Sequence, residues 1–268
     1  MTSRRDHEAT RAFGSKVDFG RAASDYRTFR AGFPPAFFEA LQARGWIAAG
    51  IRALDLGTGT GTVARGLAAR GLSVTGIDLS AALLAEAAAL DGAAGLSVAY
   101  RTGRAESLAE PDASVDLVTA GQCWHWFERS RAAAEAARVL VPGGRLVVAH
   151  FDWLPRAGNV VEATEALILA VNPAWTLAGG NGLYPDWLRD LAEAGFGSIE
   201  TFSFDVDVPF SHADWRGRIR ASAGIRASLP PEAVERFDIE LAAVLAERFP
   251  DEPLAVPHRV WAASGSKS

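Results

Sequence analysis

The chain has 268 residues, of which 49% are hydrophobic and 22% are charged, and its formal net charge at pH 7 is −5. This composition is typical of a water-soluble globular protein with enough apolar material for a full core, and the length allows one large domain or a domain with a cap. The acidic balance argues against a nucleic-acid partner, because proteins that bind nucleic acid carry a basic surface. The single cysteine, Cys123, excludes an internal disulfide and a cysteine-rich metal site.

Neither a secretory signal nor a membrane span is expected. The opening segment, MTSRRDHEATRAFGSK, is charged and lacks the apolar centre of a signal peptide. No apolar run in the sequence is long enough to cross a bilayer. We therefore expect a cytoplasmic protein with no membrane partner.

Strand and helix patterns alternate in the first part of the chain. A helix is predicted from Pro34 to Gly45, because it begins at a proline and stops at a glycine. Strands are then predicted at 51–56, 72–78, 95–102, 113–121 and 142–151, and helices at 60–70, 80–92 and 128–140. This alternation indicates right-handed crossovers and a mainly parallel sheet with helices on both faces.

The alternation stops after Phe151. Residues 151–182 contain a helix and an irregular stretch that is too long for a simple crossover, so a helical lid insertion is predicted there. The remaining predicted elements are a helix at 184–196, a strand at 198–208, an amphipathic helix at 230–249 and a strand at 254–264. The final Ser/Lys tail is expected to be disordered. The whole chain, 1–268, is predicted to form a single domain.

A glycine turn stands between the first predicted strand and the helix after it. In LDLGTGTG, Gly57, Gly59 and Gly61 permit a tight turn and let a ligand approach the main chain. The helix that follows offers N–H groups that bind a pyrophosphate in dinucleotide sites. The dinucleotide pattern G-x-G-x-x-G/A fails when it is counted from Gly57 and succeeds when it is counted from Gly59, which places Ala64 in the sixth position. The glycines alone therefore do not decide whether the turn binds a dinucleotide or an adenosyl sulfonium.

Residues near the turn help to distinguish a dinucleotide site from an adenosyl sulfonium site. Asp78 ends the second predicted strand, where a carboxylate would bind a ribose diol in either class of site. Asp55 directly precedes the turn, where a carboxylate would oppose a pyrophosphate but would suit a ligand with an ammonium group. Ala105 and Glu106 follow the third predicted strand, at a place where an adenine amino group could be bound.

Together with LVPGGRLVV before the fifth strand, these segments strongly resemble the class I S-adenosylmethionine-dependent methyltransferases. The similar motifs are, in chain order, LDLGTGTG, GIDLS, GRAESL and VDLVTAGQCWHWF, within residues 26–148. The resemblance implies a Rossmann-like α/β fold with a mainly parallel seven-stranded sheet. It also implies S-adenosyl-L-methionine as the cofactor and methyl transfer as the reaction.

The N-terminal segment adds a narrower resemblance. FGRAASDYRTFRAGFPPAFFEAL is similar to the opening of the small-molecule branch that includes the trans-aconitate methyltransferases: Tyr26, Arg30 and Pro34 match, whereas Ala31 and Phe33 differ. This resemblance implies that residues 1–45 form a cap over the cofactor. It also implies a small-molecule acceptor that takes the methyl group on an O, N or C atom, such as a carboxylate or a natural-product intermediate.

The resemblance assigns cofactor contacts residue by residue. The predicted cofactor-binding residues are Tyr26, Arg30, Asp55, Gly57, Thr58, Gly59, Gly61, Asp78, Leu79, Ala105, Glu106 and Gln122. Tyr26 would face the sulfonium and Arg30 would pair with the methionine carboxylate, although an amphipathic surface helix fits them equally well. Leu79 would pack on the adenine or in the core, and Glu106 would accept a bond from the adenine or face solvent. Asp55 would hold the ligand amino group or satisfy amides of the turn.

The acceptor would lie beyond the carboxyl ends of the strands, where open parallel sheets bind ligands. His125 is at that position and could take a proton from the acceptor, orient the substrate or cap the next helix. The residues predicted to line the acceptor pocket are Trp124, Trp126, His150, Trp153 and Trp175, with Trp187 as a further candidate. His150 and Asp152 lack the spacing of a metal motif, so no metal is predicted.

Two alternatives from other classes stay open at this point. One is an NAD(P)-dependent oxidoreductase, and the other is a methyltransferase-like binding protein without turnover. Comparing the binding of S-adenosylhomocysteine with that of NAD distinguishes the oxidoreductase from a methyltransferase. Turnover on a panel of acceptors distinguishes the binding protein from an enzyme.

Overall fold

The structure is a computed structural model that describes residues 32–222, 224–226 and 228–268. Tyr26, Arg30 and most of the predicted cap over 1–45 lie outside the described residues. The described chain divides into two compact units. The larger unit comprises Gly32–Phe151, Tyr184–Ser203 and Val260–Ser268, and the smaller unit comprises Asp152–Leu183 and Phe204–Arg259.

The described residues alternate between strands and helices, as the sequence predicts. The helices are α1 (Pro35–Ala43), α2 (Thr62–Ala68), α3 (Ala81–Ala93), α4 (Arg129–Val139), α5 (Val160–Val171), α6 (Trp187–Glu193), α7 (His212–Arg220) and α8 (Pro231–Arg248). The strands are β1 (Arg52–Leu56), β2 (Ser73–Asp78), β3 (Ala99–Thr102), β4 (Val115–Gly121), β5 (Leu140–Trp153), β6 (Phe196–Phe210) and β7 (Leu254–Lys267). A short 3₁₀ turn, Trp124–Trp126, follows β4.

The strands form one seven-stranded sheet in the order β3-β2-β1-β4-β5-β7-β6. The pairings of β1 with β2, β1 with β4, β2 with β3 and β4 with β5 are all parallel. The predicted mainly parallel α/β fold is therefore confirmed. The strand order runs outward in both directions from β1 and β4, and ligands bind at such a switch point, outside the carboxyl ends of the strands.

The core of the larger unit explains why its strands are nearly continuous apolar runs. A parallel sheet covered by helices is buried on both faces, and the buried strand residues include Leu54, Leu56, Ile77, Val118 and Val148. Helix α4 packs on this core through small side chains at Ala132, Ala133 and Ala136, which are fully buried.

The smaller unit has a separate core, built mainly from α5, α7 and α8. Helix α8 buries Val234, Phe237, Leu241 and Leu245 along its predicted apolar face, whereas Val244 is only partly buried. Helix α7 was not predicted. Most of its residues are polar, and Trp215 and Ile219, four residues apart, are among the few that it buries.

The C-terminal tail differs from the expectation. The prediction of disorder is wrong, because Ser264–Lys267 belong to β7. The Lys267 Nζ donates to the Leu140 carbonyl at 2.6 Å, and the Ser266 hydroxyl donates to the Gly197 carbonyl at 3.3 Å. Sheet pairing and these bonds outweigh the polar composition of the tail. Within the described ranges, no helix has the length and apolar character that crossing a membrane requires.

Candidate functional site

A buried carboxylate ties the glycine turn to the neighbouring strand. Asp55, at the end of β1, is 1% exposed. Its Oδ2 accepts a 2.6 Å bond from the Thr58 hydroxyl in the turn, and its Oδ1 accepts a 2.6 Å bond from the Thr119 hydroxyl on β4. Burial raises the pKa of Asp55 to about 6, although the hydrogen bonds from Thr119 and Thr58 oppose that increase. Both predicted cofactor residues, Asp55 and Thr58, thus have side chains directed into the protein.

The three glycines of the turn have different surroundings. Gly57, Gly59 and Gly61 have φ values of +59°, +55° and +76°, a left-handed region that favours glycine. A Cβ on Gly57 would lie 2.9 Å from the Cys123 sulfur, and one on Gly61 would overlap the Tyr100 hydroxyl. A Cβ on Gly59 would have no described atom within 4 Å. Gly57 and Gly61 therefore allow packing, whereas Gly59 leaves open space beside the main chain.

Asp78 lies beside that open space. Its Oδ2 accepts from the Gly59 N–H and its Oδ1 accepts from the Ser80 N–H, both at 2.9 Å. Each carboxylate oxygen can accept a further bond. The next side chain, Leu79, is 67% exposed, so it does not pack in the core. Open main chain, a carboxylate and an exposed apolar side chain thus meet at the carboxyl ends of β1 and β2.

The side chain of Glu106 is bound to the start of α4. The Glu106 Oε1 accepts a 3.0 Å bond from the backbone N–H of Glu128, directly before α4, and its Oε2 lies 3.6 Å from the Arg104 Nε. Glu106 therefore holds the start of α4, and its predicted contact with adenine stays a prediction. Ala105 is buried.

Gln122, at the mouth of β4, has a backbone conformation that is uncommon for a residue with a side chain. Its φ is +59°, and its N–H donates to the Ala149 carbonyl at 2.8 Å. Non-glycine residues in this region carry a strain that is common at functional sites. The main chain therefore turns sharply where the sheet edge opens.

A chain of polar rings follows the carboxyl ends of β4 and β5. His125 lies in the 3₁₀ turn after β4, and its Nδ1 is 3.4 Å from the Nε2 of His150 on β5. The Nδ1 of His150 is in turn 3.2 Å from the Tyr184 hydroxyl. Tyr184 stacks on Trp187 with a centroid distance of 4.1 Å. Among the described residues, no group of three potential ligands that could hold a metal ion occurs.

The tryptophans beside His125 differ in exposure. Trp124 is 0% exposed, and its indole N–H donates to Asp190 at 2.9 Å, so the structure gives no support to its predicted contact with an acceptor. Trp126 is partly exposed, and its ring centroid lies 4.6 Å from that of His125. Trp126 is thus the neighbour of His125 with surface that a ligand can reach.

Trp153 and Trp175 belong to the smaller unit. Trp175 is buried in the core of that unit. The Trp153 indole N–H donates to Glu165 at 2.8 Å, and the Arg218 guanidinium carbon lies 4.8 Å from the centre of its ring. Their predicted contact with an acceptor stays a prediction.

Sequence reasoning missed three residues that shape these clusters, Thr119, Tyr184 and Trp261. Thr119 is a polar residue within an apolar strand, a signal that could have identified it as the partner of a buried group. Tyr184 and Trp261 are far from His125 in the chain, and Trp261 packs against Trp187 at 5.6 Å. The tertiary fold brings them together, so no local motif indicates them.

Comparison with known proteins places this geometry in a familiar fold. Residues 54–148, which include the glycine turn, Asp78 and His125, match a family described as a methyltransferase domain. A solved structure from Anaeromyxobacter dehalogenans, assigned as a type II methyltransferase, aligns with a TM-score of 0.60 at 23% identity and covers 89% of this chain and 97% of that one. The fold is that of the class I methyltransferases.

Two further comparisons extend this likeness. A Mycobacterium bovis protein named as an uncharacterized methyltransferase is 37% identical over 153 residues, which cover 56% of this chain and 59% of the relative. The methyltransferase fold also aligns with phosphoethanolamine N-methyltransferase 2 of Haemonchus contortus, in complex with phosphomonomethylethanolamine and S-adenosylhomocysteine, with a TM-score of 0.54 at 19% identity over 91% of this chain and 56% of that one. Residues 54–148 thus match a methyltransferase domain, and the chain shares its fold with methyltransferases of known structure.

Proposed function

We propose that this chain transfers the methyl group of S-adenosylmethionine to a small-molecule acceptor. One observation carries the proposal: open space at Gly59, the Asp78 carboxylate and the exposed Leu79 meet at the carboxyl ends of β1 and β2. This is the edge of a parallel sheet where nucleoside ligands bind. The match of residues 54–148 to a methyltransferase domain supports an adenosyl sulfonium over a dinucleotide.

The residues at this edge fit the cofactor. Asp78 would accept the two ribose hydroxyls, because each of its oxygens has capacity beyond the bond from the main chain. Leu79 would pack on the adenine, and Gly59 would let the ligand approach the main chain closely. Tyr26 and Arg30 would contact the methionine end, and the backbones of Ala105 and Gln122 would complete the site.

Bound S-adenosylmethionine supplies a methyl group that is already activated by the sulfonium. The main task of the protein is therefore to align the acceptor with that methyl group and to exclude water. Alignment of this kind can lower a barrier by about 7–11 kcal/mol. His125, His150 and Trp126 would contact the acceptor, and the lid over 151–182, with Trp153 and Trp175, stays a prediction from the sequence.

The proposed acceptor is a small organic molecule. The net charge of −5 argues against a nucleic-acid substrate. The similarity of Tyr26, Arg30 and Pro34 to the trans-aconitate methyltransferase branch favours a carboxylate or a natural-product intermediate, methylated in the cytoplasm.

A pair of glycine variants tests the cofactor site. Gly59→Ala and Gly95→Ala both place a side chain at positive φ, +55° and +67°, with no described atom within 4 Å of the new Cβ. The two variants should therefore lose a similar folding stability of about 1–2 kcal/mol through backbone strain. Only Gly59→Ala would obstruct the cofactor, so we expect it to weaken S-adenosylhomocysteine binding by about tenfold or more in calorimetry, whereas Gly95→Ala should not.

The same titration with NAD and NADP distinguishes the classes of site. Tight binding of a nicotinamide cofactor, with no binding of S-adenosylhomocysteine, would reject the proposed function. Transfer from methyl-labelled S-adenosylmethionine to a panel of small carboxylates, phenols and amines then tests turnover. Cofactor binding without transfer to any acceptor in the panel would favour a binding protein.

A further inference from the structure

The ring chain Tyr184–His150–His125 contains two hydrogen bonds in series. The first joins the Tyr184 hydroxyl to the Nδ1 of His150 at 3.2 Å, and the second joins the Nε2 of His150 to the Nδ1 of His125 at 3.4 Å. His150 is 7% exposed, and Tyr184 and Trp187 pack around its ring. The imidazole of His150 therefore links the two end groups within a closely packed cluster.

A neutral imidazole has one N–H and one unprotonated nitrogen, so the direction of one bond determines the direction of the next. If Tyr184 donates to the Nδ1 of His150, then neutral His150 holds its proton on Nε2 and donates to His125. Neutral His125 must then accept at Nδ1 and hold its own proton on Nε2. In the opposite direction, His125 would donate from Nδ1 and its Nε2 would be basic.

Elementary acid–base chemistry selects between these directions. A phenol hydroxyl is a better proton donor than the N–H of a neutral imidazole, and an imidazole nitrogen is a better acceptor than a phenol oxygen. The bond from the Tyr184 hydroxyl to the His150 nitrogen is therefore the stronger arrangement, and it sets the direction of the whole chain.

We propose that Tyr184, acting through His150, fixes the tautomer of His125, so that His125 meets the acceptor with an N–H donor at Nε2 and not with a basic nitrogen. The inference rests on the proposed function in placing the acceptor beside His125. Tyr184 and His150 are then positioning residues. The group of the acceptor that meets His125 must accept a hydrogen bond, as an ionised carboxylate does, and an ionised acceptor has no proton for His125 to remove.

Nitrogen spectroscopy of the free protein tests the tautomer directly. The chain has five histidines, and their signals can be assigned with His125→Gln and His150→Gln variants in protein labelled with ¹⁵N at histidine. Two-bond ¹H–¹⁵N spectra at a pH where the imidazoles are neutral distinguish a proton on Nδ1 from one on Nε2. We expect the proton on Nε2 for both His125 and His150. A His125 that holds its proton on Nδ1 would overturn the inference.

Two variants of equal size at position 150 test the link between the rings. In His150→Gln, the side-chain amide can donate to the Nδ1 of His125 as His150 does, so the Nε2–H tautomer of His125 should persist. In His150→Glu, the carboxylate can only accept, so the proton of His125 should move to Nδ1. Identical His125 signals in the two variants would show that position 150 does not set the tautomer.

Tyr184→Phe removes the hydroxyl and keeps the ring that stacks on Trp187. We expect the Nδ1 signal of His150 to shift, and the KM for the acceptor to rise about twofold to tenfold, the effect of one lost neutral hydrogen bond. The affinity for S-adenosylhomocysteine should not change. Tyr100→Phe is the control, because its hydroxyl packs beside Gly61 in the glycine turn and takes no part in the ring chain. It should leave the signals of His125 and His150 unchanged.

The experiments distinguish a failure of the inference from a failure of the proposed function. The tautomer measurement needs no substrate, so a wrong tautomer overturns the inference even in a protein that binds S-adenosylhomocysteine. An absence of S-adenosylhomocysteine binding rejects the proposed function, whatever the tautomer of His125. Unchanged His150 signals in Tyr184→Phe would also contradict the inference.

Discussion

Replacing Asp55 with asparagine removes a carboxylate from the interior of the larger unit and leaves its size nearly unchanged. The Oδ atoms of Asp55 accept 2.6 Å hydrogen bonds from Thr58 and Thr119. Asparagine retains one acceptor oxygen and presents an amide to the second hydroxyl, so that hydroxyl must turn. The substitution thus exchanges the cost of burying a charge for the loss of one well-matched hydrogen bond.

The effect on stability depends on pH with a defined sign. Burial raises the pKa of Asp55 from 3.8 to about 6. A folded-state pKa above the unfolded value means that ionisation costs the folded state more. The favourable contribution of Asp55 is therefore complete below about pH 3.8 and is lost as the pH rises through about 6. At about 1.4 kcal/mol per pKa unit, the whole loss is about 3 kcal/mol.

Asparagine does not titrate, so the stability of the Asp55→Asn variant does not fall with pH for this reason. Between pH 4 and pH 8 the free energy of unfolding of the wild type should fall by about 2 kcal/mol relative to Asp55→Asn. Urea unfolding of both proteins at a series of pH values measures the difference, and the cost of the mismatched hydroxyl cancels because it is the same at every pH.

Asp116→Asn supplies a control of opposite sign. The Arg52 guanidinium lowers the pKa of Asp116, so that carboxylate stabilises the fold above its unfolded pKa, and the stabilisation is lost as the pH falls. The stability of the wild type relative to Asp116→Asn should therefore increase with pH. Parallel pH curves for the wild type and Asp55→Asn would refute the reasoning about the buried charge.

The remaining predictions concern ligand binding and turnover. Asp78→Ala should weaken S-adenosylhomocysteine binding by at least about tenfold in calorimetry and should lower the Tm, because the bonds to the N–H groups of Gly59 and Ser80 are lost with the ribose contacts; unchanged affinity in the folded variant would reject the assignment. Leu79→Ser should weaken the same binding by about threefold or more through lost apolar contact. Ile239→Ser on α8 is the control, because Ile239 is 63% exposed and Leu79 is 67% exposed, and it should not weaken binding. Equal effects would contradict a role of Leu79 in adenine packing. His125→Ala should lower turnover by about tenfold or more while cofactor affinity stays constant, and loss of cofactor affinity instead would indicate a structural role.

The fold could be predicted because its signals are local and repeated. Apolar runs of strand length, a proline at the start of α1 and Ser80 at the start of α3 each reflect chemistry within a few residues. The positions of Gly59, Asp78 and Leu79 could be predicted for the same reason, since the turn after β1 and the end of β2 are defined by short motifs.

Features that depend on partners distant in sequence could not be predicted. Glu106 reaches the Glu128 N–H and Lys267 reaches the Leu140 carbonyl, and neither segment indicates the other. Helix α7 has few apolar residues, so its sequence pattern does not predict a helix. Its packing in the smaller unit stabilises it instead. The Tyr184–His150 contact joins the segment before α6 to β5, and no spacing in the sequence indicates it.

The place of Cys123 makes it a reporter of motion in the glycine turn. It is the single cysteine of the chain and is 7% exposed; its thiol donates to the Leu56 carbonyl at 3.1 Å and lies under Gly57. Because the thiol is almost fully buried, a thiol reagent reacts with it mainly in a locally opened state, and the modification rate follows the population of that state. A ligand that binds only the closed turn must slow the reaction in proportion to its occupancy. The rate at which the reagent modifies Cys123 thus reports both the local opening of the protein and the affinity of a bound ligand.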